Sequence, residues 1–211
     1  EAPDAVLAVR SYLPIGAGLG SGAAVSVAMV RALAAFLEHE ITVKAISALT
    51  YEVEKIHHGT PSGIDNTVVA WERPVYFVKG NAPEVFTIGA PFHVLIADSG
   101  VGGSTRAAVA GVRQRWEQAR ELYEARFDRM GLIADAARQA IARGEQGRLG
   151  ALLDENHALL QKIGVSIPVL DRLVAAAREA GALGAKLTGA GMGGNVIALT
   201  PEVQIESIRR A

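Results

Sequence analysis

The sequence predicts a mixed α/β chain in two parts, and three observations carry that prediction. An alternating segment runs through a glycine-rich loop into a long apolar helix. Two further strand-like runs flank a Gly/Pro-containing stretch near the middle, and beyond it apolar residues recur at helical spacing for about 75 residues before a second glycine loop. The chain has 211 residues, 50% of them hydrophobic and 20% charged, enough to bury a substantial core. Lys plus Arg (21) nearly balance Asp plus Glu (22), so the net charge of −1 offers no general attraction to nucleic acid or an anionic membrane. With zero cysteines there is no disulfide, thiolate metal site or cysteine nucleophile, and a reducing cytoplasm is the expected compartment.

Ala5–Leu13 (AVLAVRSYL) alternates and is expected as a strand, followed by the loop Pro14–Gly20 and a helix over Gly22–Glu38. The oily run Ala23–Leu37 is broken by Arg31 and falls short of the roughly 20 apolar residues of a membrane span, so it is expected as a buried helix. Thr42 is placed to cap a second helix through Lys55, and the turn-rich segment His57–Gly63 should follow as loop. Pro74–Val78 and Phe92–Ala97 read as strands on either side of a domain joint at Gly80–Pro91, with the boundary near Phe86, giving domains 1–85 and 86–211. Four helices are expected between Ser104 and Gly181, with breaks near Asp128, Gly144 and Gly164. A strand at Ala185–Thr188, the loop Gly189–Gly194, a strand at Asn195–Leu199 and a helix after Pro201 complete the chain.

The first chemical signal is Pro14-Ile15-Gly16-Ala17-Gly18-Leu19-Gly20-Ser21-Gly22-Ala23-Ala24. Its glycines let backbone approach a ligand and turn into a helix whose free N–H groups and positive dipole end suit phosphate oxygens. A tight turn with a packed helix start is the plain alternative. The GxxxxGK[ST] loop is absent, while Gly18-x-Gly20-x-x-Ala23 matches the dinucleotide fingerprint weakly, since Glu38 and Glu40 fall at the end of the same helix rather than after a second strand.

The second signal is Glu54-Lys55-Ile56-His57-His58-Gly59-Thr60-Pro61-Ser62-Gly63-Ile64-Asp65-Asn66. A carboxylate at a helix end and another beyond a Gly/Pro turn suit Mg2+-dependent phosphoryl transfer, in which a hard cation takes one or two carboxylates beside phosphates and the attacking hydroxyl takes a carboxylate partner. The alternative makes Asp65 a helix N-cap and Glu54 a solvated surface charge. His57 and His58 lack the spacing of a zinc site. The third signal, Lys186-Leu187-Thr188-Gly189-Ala190-Gly191-Met192-Gly193-Gly194, is a second loop open to close approach, or a bare hairpin bend.

In this order the three segments resemble the GHMP kinases, and HGTPSGIDN (His58–Asn66) and STRAAVAGVR (Ser104–Arg113) are similar to the mevalonate kinases among them. The resemblance implies a GHMP kinase two-domain fold: an N-terminal ATP-binding α/β part like domain 2 of ribosomal protein S5, incomplete at its start, and a ferredoxin-like α+β C-terminal domain. It implies an ATP-dependent phosphotransferase acting on the primary hydroxyl of mevalonate in isoprenoid precursor synthesis, with another GHMP small-molecule kinase or a non-catalytic nucleotide-binding domain as the alternatives. ATP phosphates would lie on Pro14–Ala24, Glu54 would bind Mg2+, and Asp65 would orient or deprotonate the hydroxyl. His58, Ser62 and Thr105 would line the acceptor side, with Gly189, Gly191, Gly193 and Gly194 bracing the site. A small-molecule partner is implied, with no nucleic acid and no membrane, and a homodimer is the candidate assembly.

Three departures from the family pattern stand out. The first family motif and the early lysine that pairs with the aspartate have no counterpart, so an incomplete kinase is expected. Gly22 stands where the family's second loop serine serves as a Mg2+ ligand. Met192 interrupts the glycine run, and no basic residue lies between Asp98 and Thr105, where some mevalonate kinases hold the substrate carboxylate.

Overall fold

The structure is a computed structural model that describes residues 4–12, 19–58 and 61–211, with the side chains of His57 and His58 excepted. It divides into two compact units, Glu1–Phe86 and Thr87–Ala211.

The first unit is a layer of three helices with a short hairpin. α1 (Ser21–Phe36), α2 (Val43–His58) and α3 (Ile64–Trp71) pack around Val27, Ile46 and Ala70. Thr42 caps α2 as the sequence predicts, its Oγ1 accepting from the Ala45 N–H at 3.2 Å. The helix runs to His58, three residues past the expected end. Only one face of α1 is buried: Ala23, Val27 and Ala34 point inward, while Leu33 and Phe36 stay exposed. The buried helix expected from sequence is buried on one face only, because the apolar residues are spread around the helix and α2 and α3 cover one stripe. Arg31, the charge within that oily run, pairs with Glu72 and donates to Ala70 O at 2.9 Å, closing the C-terminus of α3.

Residues 4–12 are irregular and exposed, so the strand expected at Ala5–Leu13 is not formed among the described residues. Alternation supplies a face, but a strand also needs a ladder partner for its N–H and C=O groups, and no described strand lies alongside it. β1 (Val75–Tyr76), inside the strand expected at Pro74–Val78, pairs antiparallel with β2 (Glu84–Val85), Val75 opposite Val85, and β2 falls in the stretch expected as a joint. No strand follows α1 before α2, so the βαβ unit that a dinucleotide fingerprint requires is absent among the described residues.

The second unit holds a three-stranded antiparallel sheet of order β3-β5-β4, from β3 (His93–Asp98), β4 (Gly184–Thr188) and β5 (Asn195–Thr200). Four helices, α4 (Thr105–Gln118), α5 (Arg120–Arg143), α6 (Gln146–Lys162) and α7 (Pro168–Glu179), separate β3 from β4, and α8 (Ile205–Arg210) follows a 3-10 turn after Pro201. The break expected near Asp128 instead falls at Ala119 (φ −143°, ψ 57°). Asp128 is exposed and has no adjoining Gly or Pro, so α5 passes through it. The breaks at Gly144 and Gly164 do occur, both at positive φ (72° and 77°), which a glycine adopts without a Cβ penalty.

Ala185 and Leu187 face Ala198 and Val196 across the ladder and join Leu170, Val174 and Ala177 of α7 in the main core. On the opposite side Leu199 packs with Ala140 of α5 and Leu149 of α6. The outer edge of β4 is covered by α6: Asp154 Oδ1 accepts from Ala185 N at 2.9 Å, and His157 Nδ1 accepts from Leu187 N at 3.4 Å. Side chains thus satisfy an edge that would otherwise present bare N–H groups. Among the described residues, no helix is long and apolar enough to cross a membrane.

Candidate functional site

In the first unit Gly20 and Gly22, at the end of the glycine loop, come together with Asp65 and Glu54 at the start of α1. Pro14–Gly18 lie outside the described residues, so the description begins at Leu19. Gly20 takes φ 67° and precedes α1, whose first turn carries no side-chain cap and no acidic residue. Among the described residues no side chain caps its leading N–H groups, which leaves them for an acceptor. On α2, Ile46, Thr50 and Glu54 recur every four residues on the buried face. That face turns to α1, and a Cβ placed on Gly22 would stand 3.1 Å from Glu54 Oε1. Glu54 is only 4% exposed, which excludes the solvated surface charge considered from sequence. Its carboxylate sits at the positive end of the α1 dipole, where negative charge is favoured.

Asp65 occupies the first turn of α3, with its Cβ 4.0 Å from the position of a Cβ on Gly20. It does not cap the helix: Gly63 (φ 92°) precedes α3, and the Ser62 Oγ accepts from Ile64 N at 3.3 Å. The residue is exposed, and its Cβ stands beside the α1 start. The next residue fixes it in place, since the Asn66 amide donates to Ser47 O (3.1 Å) and Ser47 Oγ (2.9 Å) on α2. Thr67 Oγ1 donates to Gly63 O at 2.7 Å, tightening the same turn. Ser62 lines a cavity of about 600 Å3 with Lys44, Tyr51, Asn66, Trp71 and Phe77. His58 ends α2; Gly59 and Thr60 are outside the described residues. Among the described residues no group of three or more His, Cys, Asp or Glu side chains could hold a metal. Two carboxylates beside an open helix start match the needs of Mg2+, which takes one or two carboxylates and completes its shell with phosphate oxygens and water.

The second unit clasps its glycine loop to the segment before Thr105. Ser104 caps α4, accepting from Ala107 N at 3.3 Å, and Thr105 is the first helical residue. Gly194 N donates to Val101 O (2.8 Å), Ser99 N to Gly194 O (2.9 Å) and Met192 N to Val165 O (2.8 Å). A Cβ on Gly191 would stand 2.3 Å from Val165 O, and one on Gly103 would stand 2.6 Å from Gly191 O. The backbones approach closely because side chains are missing there. Gly189, Gly191 and Gly194 all take φ near 80°, whereas Met192, at φ 59°, holds a left-handed conformation with a side chain attached. Sequence reasoning passed over Gly100, Gly102 and Gly103, although a glycine cluster directly before an N-capping serine marks a segment of close approach.

A polar relay supports this loop from behind. His157, 5% exposed, has Nε2 3.2 Å from Asp171 Oδ1, which also accepts from Ser166 Oγ at 2.5 Å. Desolvation holds the His157 pKa below its ordinary value despite the Asp171 carboxylate. Burial would raise Asp171, but hydrogen bonds from Ser166, Gln161 and His157 bring it below the usual carboxylate range.

The GHMP kinases N terminal domain family matches residues 3–72, and the GHMP kinases C terminal family matches residues 137–211. The mevalonate kinase of Thermococcus sibiricus is 40% identical over 205 residues, covering 95% of this chain and 61% of that protein. The Arabidopsis thaliana mevalonate kinase is 32% identical, covering 93% of this chain and 57% of its own length. Among solved structures, L. major mevalonate kinase in complex with R-mevalonate superimposes with a TM-score of 0.85 at 30% identity, over 90% of this chain and 60% of that one. The Methanococcus jannaschii mevalonate kinase gives 0.83 at 28% identity, over 95% and 62%. The chain thus spans about three-fifths of the length of the relatives it matches. With both halves matched by the two domains of one family, and a mixed helix and strand architecture shared with its solved members, the chain belongs to the GHMP kinase family.

Proposed function

We propose that the chain is the larger part of an ATP-dependent kinase that phosphorylates the primary hydroxyl of mevalonate to 5-phosphomevalonate, a step toward isoprenoid precursors. The observation that carries this reading is the meeting of Gly20, Gly22, Glu54 and Asp65 at the uncapped start of α1. Residues 1–85 act as the ATP-binding domain and 86–211 as the C-terminal domain. The loop Pro14–Ala24 receives ATP phosphates on the backbone N–H groups that follow Pro14, and Asp65 accepts the hydroxyl proton as the oxygen bonds to the γ-phosphorus and the bond to ADP breaks. Glu54 holds Mg2+, which neutralises phosphate charge when bound. His58, Ser62 and Thr105 serve the acceptor side, and Gly189, Gly191, Gly193 and Gly194 keep their loop rigid. Exposure and support both suit Asp65 to accepting that proton, since its carboxylate is open while Asn66 anchors its helix. Absence of cysteine supports a cytoplasmic setting, and a homodimer is the proposed assembly.

A different small alcohol as acceptor is favoured by one observation, the lack of a basic residue between Asp98 and Thr105. Calorimetric titration of the protein with Mg2+-ATP, mevalonate and NAD separates the readings. Saturable binding of Mg2+-ATP and mevalonate, and none of NAD, is expected; NAD binding without ATP binding would overturn the kinase assignment.

A further inference from the structure

The ladder register places Lys186 opposite Ile197, on the side of the sheet that faces α5 and α6. Its neighbours Ala185 and Leu187 point the other way and are fully buried. A lysine at an inward position leaves a gap rather than a packed core, here a cavity of about 230 Å3. Ile133, Ala134 and Ala137 of α5, Leu152 and Leu153 of α6, and Ile197 form its walls; Lys186 and Asn156 are the polar side chains among its described lining residues.

Both polar groups have unused capacity. The Lys186 ammonium has three donors, and its hydrogen bond to Leu187 O at 2.7 Å uses one. No carboxylate among the described residues pairs with it. On α6, Asp154 is engaged by Ala185 N and by Arg178 Nε, each at 2.9 Å, and Asp171 is taken by Ser166 and His157. The Asn156 amide takes part in no hydrogen bond among the described residues. A cation taken from water without a counter-ion is costly, and burial lowers this ammonium to about 8, leaving it charged at neutral pH.

We propose that this cavity is a binding site for a small amphiphilic carboxylate, whose head group lies on Lys186 and Asn156 and whose alkyl chain runs along Ile133, Leu152, Leu153 and Ile197. The head group supplies the missing counter-charge, and the chain covers apolar wall. At about 30 Å3 per water-sized group, a cavity of about 230 Å3 takes roughly eight non-hydrogen atoms, the size of hexanoate. The site uses none of the residues assigned to phosphoryl transfer.

Sodium hexanoate, acetate and hexanol are titrated by calorimetry and by methyl and side-chain amide NMR, against the wild-type protein, Lys186→Met and Ala134→Phe. Saturable hexanoate binding is expected, with shifts at Asn156, Ile133 and Ile197. Acetate, lacking the chain, and hexanol, lacking the charge, should each bind at least roughly tenfold more weakly, as should hexanoate to either variant. Ala134→Phe fills the cavity from α5 while keeping the ammonium, so it carries the test if Lys186→Met does not fold. No saturable binding, hexanoate binding unchanged in either folded variant, or equal affinity for acetate or hexanol would overturn the proposal.

Discussion

Replacing Lys186 by Met should stabilise the protein at neutral pH and lose that advantage in alkali. The folded state holds the ammonium near 8 through desolvation, whereas the unfolded chain titrates at 10.5. Between these values the unfolded chain binds the proton that the folded chain has released, so wild-type stability rises with pH through that window. At 1.36 kcal/mol per pH unit the gap amounts to at most roughly 3 kcal/mol of instability carried at pH 7. Methionine keeps the stem and drops the charge, but forfeits the hydrogen bond to Leu187 O, worth about 1 kcal/mol. The variant is therefore expected to be more stable by about 2 kcal/mol at pH 7 and less stable by about 1 kcal/mol near pH 10.5. Urea unfolding of both proteins at pH 7, 8.5 and 10.5, with equal m values, measures the difference directly. A difference that does not change with pH would show that Lys186 titrates alike in both states, and the argument from its burial would fail.

Gly22→Ser would bring its Cβ to 3.1 Å from Glu54 Oε1, so the carboxylate must yield by a few tenths of an ångström. Activity against free Mg2+ should change by about 1 kcal/mol, the scale of one replaceable polar contact, while Glu54→Gln weakens the Mg2+ dependence far more. Loss of all activity in Gly22→Ser would show that the loop needs glycine there. Gly191→Ala meets Val165 O at 2.3 Å and should cost roughly 3 kcal/mol of stability, whereas Gly189→Ala, with the same φ of 81° and open space around it, should cost about 1 kcal/mol. Equal melting temperatures for the two would contradict the clasp between Val165 and the loop. His157 is held below its ordinary pKa, so below about pH 6.5 the unfolded chain gains a proton that the fold resists, and stability falls with pH. His157→Gln should flatten the stability profile between pH 7 and 5; an unchanged slope would place the acid sensitivity elsewhere.

Local signals were legible in the sequence and long-range ones were not. Thr42 announces α2 because a cap acts within one turn, and Gly144 and Gly164 end helices for an equally local reason. Ala5–Leu13 misleads because pairing is not a property of the segment itself. The break at Ala119 has no Gly or Pro to mark it, and the β1–β2 pairing depends on two residues a side. Glu54 could have been read as buried from its four-residue spacing with Ile46 and Thr50. Its meeting with Gly22, and that of Asp65 with Gly20, depend on how three helices pack; the sequence pointed to them only through two carboxylates around a Gly/Pro turn and the resemblance to a known family. Val101 and Val165 hold the second glycine loop through backbone carbonyls, for which side-chain identity gives no sign.

In the proposed function, transfer of phosphate to an alcohol turns on Asp65, beside the start of α1. Following ADP and 5-phosphomevalonate together by phosphorus NMR, for the whole protein and for its Asp65→Asn variant with Mg2+-ATP and mevalonate, tests this role directly. Equal amounts of the two products are expected from the wild type, and kcat lowered at least roughly a hundredfold in the variant with ATP binding retained. A variant that turns over at the wild-type rate, or a wild type that releases ADP without forming 5-phosphomevalonate, would contradict it.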